Sequence, residues 1–181
     1  MSQGPTPNPP GGPSASGLVR VLRECGATHA VTVPDYAQFA LHAALSAPDA
    51  GIPVLYACSE DQALTVATGL HIGGARPVLI LQNQGMYKCM NTLRATCLDA
   101  NVPVVFLVGQ FGREAANIGQ PMTQSSRRVV RLLEPAMDAF GVAHWTVEDD
   151  ADLPRVQEAF QHARAAETAA VIVIGRHVTW N

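Results

Sequence analysis

Residues 53–85, PVLYACSEDQALTVATGLHIGGARPVLILQNQG, alternate between two patterns. PVLYA and RPVLIL are apolar runs of strand length, each led by a proline. Between them, EDQALTVATGLHIG has the length and composition of a helix. A strand, a helix and a strand in so short a stretch fit a mostly parallel sheet. An acidic pair, Glu60 and Asp61, then falls where the first strand ends and the helix begins. Such a carboxylate has two readings. It stabilises the free N–H groups of a helix start, or it faces a ligand.

The same alternation runs outward in both directions. GLVRVLRECG places Leu18, Val21, Leu22 and Cys25 on one helical stripe, with Gly26 as a stop. THAVTVP reads as a strand ended by Pro34, and YAQFALHAALSA as a helix closed near Pro48. Downstream come a helix in YKCMNTLRATCLDA, a strand in VPVVFLVG, and a long polar segment, QFGREAANIGQPMTQSS. Then follow a helix in RRVVRLLEPAMDAFG, a strand in VAHWTV, a helix in DLPRVQEAFQHARAA and a strand in AAVIVIG. Pro135 is expected to interrupt its helix or to start a new one in its first turn. Six strands, several continuously apolar, alternating with helices predict an α/β fold: a mostly parallel six-stranded sheet with helices on both faces. Such sheets bind ligands beyond the carboxyl ends of their strands. The polar segments at residues 34–36, 58–62, 82–87 and 110–113 then share one rim, and Glu60 stands on it.

Composition narrows the function classes. With 48% apolar and only 15% charged residues, the surface is poor in charge, which fits a face covered by a partner subunit. Net charge is -3 and no basic block occurs, so a nucleic-acid partner is not expected. Cys25, Cys58, Cys89 and Cys97 form no CxxC pair, so neither a zinc knuckle nor a redox pair is indicated. No signal peptide is recognised, and no apolar run approaches the ~20 residues a bilayer span needs. A cytoplasmic protein without a membrane role is expected. Residues 1–14 hold five prolines and three glycines and are expected to be a flexible tail, leaving residues 15–181 as one domain.

Common site motifs are missing. There is no GxGxxG after the first strand, no GxxxxGK[ST], no HExxH and no nucleophile elbow, and the six histidines are scattered. On local pattern alone, Asn83 and Gln84 read as loop hydrogen-bonders, Asn91 as a helix-start residue, and Met86 and Tyr87 as loop or interface residues.

Taken in order, however, several blocks resemble a known family. VTVPDYAQFALHAAL, SEDQALTVATGLHIGGARPVLILQNQG and MNTLRATCLDANVPVVFLVGQFG, with the later LLEPAMDAFGV, are similar to the pyrimidine-binding domain of thiamine-diphosphate enzymes. The likeness spans residues 16–175. It extends to the alpha subunit of sulfopyruvate decarboxylase and the matching half of phosphonopyruvate decarboxylase. The resemblance implies a thiamine-diphosphate-dependent 2-oxo acid decarboxylase or lyase subunit. Glu60 would be the catalytic carboxylate that shares a proton with the cofactor's pyrimidine ring, with Pro34, Asn83, Gln84, Gly85 and Asn91 as further cofactor contacts. Asp35, Tyr87, Lys88, Gln110 and Arg113 are the candidate substrate contacts. Two departures bear on substrate choice. Relatives often carry QNSGLGN where this chain has QNQGMYKCMN, which adds bulk and the charge of Lys88. The next rim loop holds Arg113 but no histidine.

The chain is too short for both halves of such an enzyme and lacks a GDG segment in a suitable context. The resemblance therefore implies that Mg2+ and the diphosphate are held by a separate, GDG-bearing subunit, in a heterodimer or an α2β2-type oligomer acting on a small 2-oxo acid. No metal ligand is assigned to this chain. Three alternatives remain open at this point: a carboligase subunit using the same cofactor, a non-catalytic structural partner, and an unrelated small-molecule-binding α/β domain.

Overall fold

Six parallel strands form one sheet in the order β2-β1-β3-β4-β6-β5 in the computed structural model, which describes residues 11–180. In chain order the elements are α1 (Ala15–Glu24), β1 (His29–Thr32), α2 (Phe39–Leu45), β2 (Val54–Tyr56), α3 (Glu60–Ile72) and β3 (Pro77–Gln82). There follow α4 (Asn83–Lys88), α5 (Met90–Leu93), a π-helical turn at Arg94–Asp99 and β4 (Val105–Gly109). The last part holds α6 (Arg128–Arg131), α7 (Leu133–Phe140), β5 (Ala143–Val147), α8 (Pro154–Ala166) and β6 (Ala170–Ile174).

The period of two along the strands splits the interior into two cores. Val78, Ile80, Val105, Leu107, Ala170 and Ile172 face a core shared with α1, α2 and α8. Leu79, Leu81, Phe106, Val108, Val171 and Val173 face a second core shared with α3, α4 and α7. Both sets are buried, which is why the central strands read as unbroken apolar runs. At ~1.5–3 kcal/mol for each fully buried Leu, Ile, Val or Phe, these strands form the rigid base on which the rim loops sit. The two edge strands are less buried: β2 is three residues long and leaves Leu55 and Tyr56 exposed, and β5 is half-buried along Ala143–Thr146.

Several helices differ from the sequence expectation. The helix expected over residues 87–100 begins earlier, at Asn83, and breaks into α4, α5 and the π-helical turn. The strand therefore runs straight into a helix, and the expected rim loop at residues 82–87 is mostly helical. The helix expected over 127–141 divides at Leu132. Pro135 falls in the first turn of α7, where its missing N–H leaves no bond unmade, and its ring is incompatible with continuous helix through the carbonyl four residues back. Of the expected tail, residues 1–10 lie outside the described residues. Pro13 accepts a hydrogen bond from the Thr179 N–H, and Ser14 caps α1 by accepting from the Gly17 N–H at 3.1 Å.

The chain reverses direction across the sheet between β1 and β3, since β2 lies on one side of β1 and β4 beyond β3. This is the switch point where open α/β sheets form a crevice. Gln38 closes its floor. Its Nε2 donates to Asp35 Oδ2 at 2.9 Å and to the Leu81 carbonyl at 3.0 Å.

Candidate active site

Glu60 is the first residue of α3, yet it does not cap the helix. Ser59, extended at φ -154°, is the capping residue, and its Oγ accepts from the Gln62 N–H at 3.4 Å. Gln62 in turn accepts from the Cys58 N–H at 2.8 Å, close to a capping-box arrangement. Asp61 is occupied elsewhere: its Oδ1 accepts from Thr92 Oγ1 at 2.6 Å, tying α3 to α5. The side chain of Glu60 is thus released from both local duties.

That side chain lies over Gly85. A Cβ built on residue 85 would fall 2.4 Å from Glu60 Cγ and 2.7 Å from its Oε1, so a bare glycine is what leaves the carboxylate its place. The Glu60 side chain is 13% exposed, and its Oε2 lies 3.3 Å from Lys88 Nζ, at the last turn of α4. Behind them, the buried thiol of Cys89 is pushed up to about 12 by burial, with the Asp61 and Glu60 carboxylates adding to the effect.

Asn83 organises the neighbouring rim. It is fully buried, and its Nδ2 donates to Gln110 Oε1 at 2.7 Å and to the carbonyls of Phe111 and Val129 at 3.0 and 3.1 Å. Its Oδ1 accepts from the Gln84 N–H at 2.9 Å. Tyr87 donates its hydroxyl to the same Val129 carbonyl at 3.2 Å, and burial raises its pKa. Gln110 is itself buried, with Nε2 3.1 Å from Met122 Sδ. Asn83, Tyr87 and Gln110 thus meet through one hydrogen-bonded knot, whereas Glu60, Gly85 and Lys88 form a second group in direct contact.

Other expected site residues are placed differently. Asp35 is buried at the switch point, where it accepts from the Gln38 N–H and side chain and lies 3.5 Å from His42 Nε2. Arg113 has all five guanidinium donors engaged. It pairs with Glu148 and donates to Asn117 Oδ1 (2.9 Å) and to the carbonyls of Gly175 (3.0 Å), Asn117 (3.1 Å) and Gln120 (2.9 Å). With its side chain 3% exposed, it holds the polar loop after β4 in shape rather than presenting a cation to solvent. Pro34 and Gln84 are exposed on the rim; Asn91 is exposed on α5 and accepts from Arg94 at 3.3 Å.

Sequence reasoning missed Gln38, His42, Thr92 and Glu148. Each reads as an ordinary helix or loop residue, and nothing in the local pattern reveals its partner. Next to the knot, a cavity of about 500 Å³ opens at the ends of β4 and β6, lined by Gln110, Arg113, Ile118, Arg176, His177 and Trp180. Among the described residues, no cluster of three or more His, Cys, Asp or Glu side chains is arranged to hold a metal ion, and no helix is long and apolar enough to cross a membrane.

Residues 14–131 match the family model of the thiamine pyrophosphate enzyme, N-terminal TPP binding domain. The chain belongs to this family. As a member of the TPP-binding domain family, it is 24% identical over 125 residues to the sulfopyruvate decarboxylase subunit alpha of Methanothermobacter thermautotrophicus, covering 67% of this chain and 74% of the relative. It is 23% identical over 77 residues to the subunit of the same name from Methanococcus maripaludis, covering 41% of this chain and 46% of that one. Its fold is shared with a solved 2-oxoglutarate:ferredoxin oxidoreductase from Magnetococcus marinus, at a TM-score of 0.61 and 12% identity. That superposition covers 88% of this TPP-binding domain and 28% of the larger chain.

Proposed function

We propose that this chain is the pyrimidine-binding subunit of a thiamine-diphosphate-dependent 2-oxo acid decarboxylase, completed by a separate diphosphate-binding chain. The observation that carries the reading is the Glu60 carboxylate, relieved of capping by Ser59 and laid over Gly85 at the carboxyl rim of the sheet. The residues fit the cofactor's pyrimidine end. A flat ring with a weakly basic nitrogen needs one carboxyl oxygen at hydrogen-bond distance, and Glu60, seated over the bare Gly85, would present one at the rim.

In this reading Glu60 is the catalytic residue. It shares a proton with the ring nitrogen and, shielded from bulk water by the partner chain, holds that proton at a fixed oxygen. When bound, thiamine diphosphate supplies the electron sink for loss of carbon dioxide from the 2-oxo acid. Asn83 fixes the ends of β3 and β4 so that Gly85 keeps its position. Pro34, Gln84 and Asn91 are the flanking cofactor contacts. Lys88, Tyr87 and Gln110 are the candidate contacts to the substrate. Arg113 and Asp35 act through the loops they hold.

The partner chain is proposed to carry the diphosphate and Mg2+, in a heterodimer or α2β2 assembly. The relatives named as alpha subunits support a division of the enzyme between chains. Four free thiols fit action in a reducing cytoplasm. Co-expression with a GDG-bearing chain, assayed on a panel of 2-oxo acids with thiamine diphosphate and Mg2+, tests the reading. Carbon dioxide release that needs both chains is expected. An assembled complex that binds no thiamine diphosphate and consumes no 2-oxo acid contradicts it.

A further inference from the structure

Lys88 is the only lysine in the 181 residues, against eleven arginines, and it stands 3.3 Å from the Glu60 carboxylate. Every other cation in the sequence that is fixed for life is a guanidinium; the one ammonium is placed on the residue proposed to handle the proton. We infer that Lys88 is a releasable latch on Glu60, a positioning residue that occupies the carboxylate until the pyrimidine ring displaces it. The inference rests on the reading of Glu60 proposed above and adds how that residue is regulated.

Three physical points support it. First, Lys88 Nζ lies 3.3 Å from Glu60 Oε2, against the carboxylate that would meet the ring nitrogen. The pair and the ring compete for the same oxygens, and the pair has to open. Second, Lys88 is able to leave. Its side chain is 54% exposed, so water replaces the carboxylate as its partner, and its four-carbon stem is flexible. An arginine here would grip Glu60 through a planar two-pronged contact and release it less readily. Third, Glu60 itself has little freedom. Gly85 lies beneath it, and Asp61, next along the chain, is tied to Thr92. Opening the latch therefore moves the lysine rather than the glutamate. The other titratable neighbours, Asp61 and the buried Cys89, carry no positive charge that takes over its role.

The magnitude follows from exposure. A half-exposed ion pair is worth little, so its removal changes an equilibrium by about two- to fivefold. Calorimetric titration of thiamine diphosphate with Mg2+ into the assembled complex reads this directly, using Lys88→Met, Lys88→Arg, Glu60→Gln and the Glu60→Gln/Lys88→Met pair. Lys88→Met is expected to bind about two- to fivefold more tightly than the wild type, and Lys88→Arg more weakly. The Lys88→Met gain is expected to shrink as salt is raised toward 1 M and to vanish in the Glu60→Gln background. Equal or weaker binding by Lys88→Met, or a gain that persists with Glu60→Gln, overturns the latch while leaving the proposed function in place. A wild-type complex that binds no thiamine diphosphate overturns both.

Discussion

Asn83 and Gln110, the residues that directly follow the paired strands β3 and β4, are joined by a 2.7 Å hydrogen bond between two buried side chains. The bond closes the rim beside Glu60, and the same Asn83 nitrogen also serves the carbonyls of Phe111 and Val129. Asn83→Ala leaves these buried acceptors short of a donor. A stability loss of about 2–4 kcal/mol is expected by urea unfolding, with the slope against urea unchanged. Asn83→Asp should be at least as harmful, because it turns a carboxylate oxygen toward three acceptors. A loss below about 0.5 kcal/mol for either variant contradicts the role of the knot.

Gly85→Ala separates local stability from site geometry. Alanine favours a helix over glycine by about 1 kcal/mol, and Gly85 lies within α4 at an unstrained backbone angle. Its new methyl group would lie 2.4 Å from Glu60 Cγ, so the Glu60 side chain would be forced out of its place. The melting temperature is therefore expected to stay level or fall only slightly, while turnover of the assembled complex drops by about tenfold or more. Full turnover with a methyl group at this position would show that Glu60 works from another place.

The strands and the rim were legible in the sequence for simple reasons. Ile80 and Leu81 face different cores, so β3 reads as an unbroken apolar run, and the strand–helix alternation then puts Glu60 and Asn83 at the same end of the sheet. What was not legible depends on side-chain partners that no local pattern reveals. Arg113 looks like a solvent-facing loop cation until Glu148 and Gly175 surround it. Gln38 and His42 sit in a helical pattern that gives no sign of their bonds to Asp35 and the strand ends. Asn83 and Gly85 are turn-formers by habit, and only the buried knot around Asn83 lets a helix start there.

Arg113 provides a test of loop structure against substrate charge. Lysine has three donors on a single nitrogen and cannot reach the five acceptors that the guanidinium serves. Arg113→Lys is therefore expected to lower the melting temperature by several degrees although the charge is kept. Its effect on kcat/KM should be the same for 2-oxo acids with and without a second anionic group. A selective loss for doubly anionic substrates would instead make Arg113 a substrate contact.

The same loop should respond to acid. Hydrogen bonds from Ser125, and then from backbone N–H groups and Ser126, hold the Glu114 carboxyl down at about 2, below its ordinary value of 4.5. A carboxylate whose pKa falls on folding stabilises the folded form above its unfolded pKa, and that contribution fades as the pH drops from about 4.5 to about 2. Amide protection in residues 113–127, the intrinsic exchange rate at each pH relative to the observed rate, is expected to fall across this window. Glu114→Gln should show the lower protection already at pH 7. Unchanged protection down to pH 2.5 would mean that these hydrogen bonds do not hold the loop.

In the proposed function, Glu60 handles a proton and does not merely end a helix. Deuterium exchange at the reactive thiazolium carbon of thiamine diphosphate, measured in the assembled complex, tests this most directly, with melting temperature followed in parallel. Ser59 already supplies the cap, so Glu60→Gln is expected to melt close to the wild type. Its exchange rate should fall about 10²-fold or more, the scale of losing a positioned acid–base group, whereas Asp61→Asn should lose less than about tenfold. Wild-type exchange together with a lowered melting temperature in Glu60→Gln would contradict the account and leave Glu60 as a residue of the helix start.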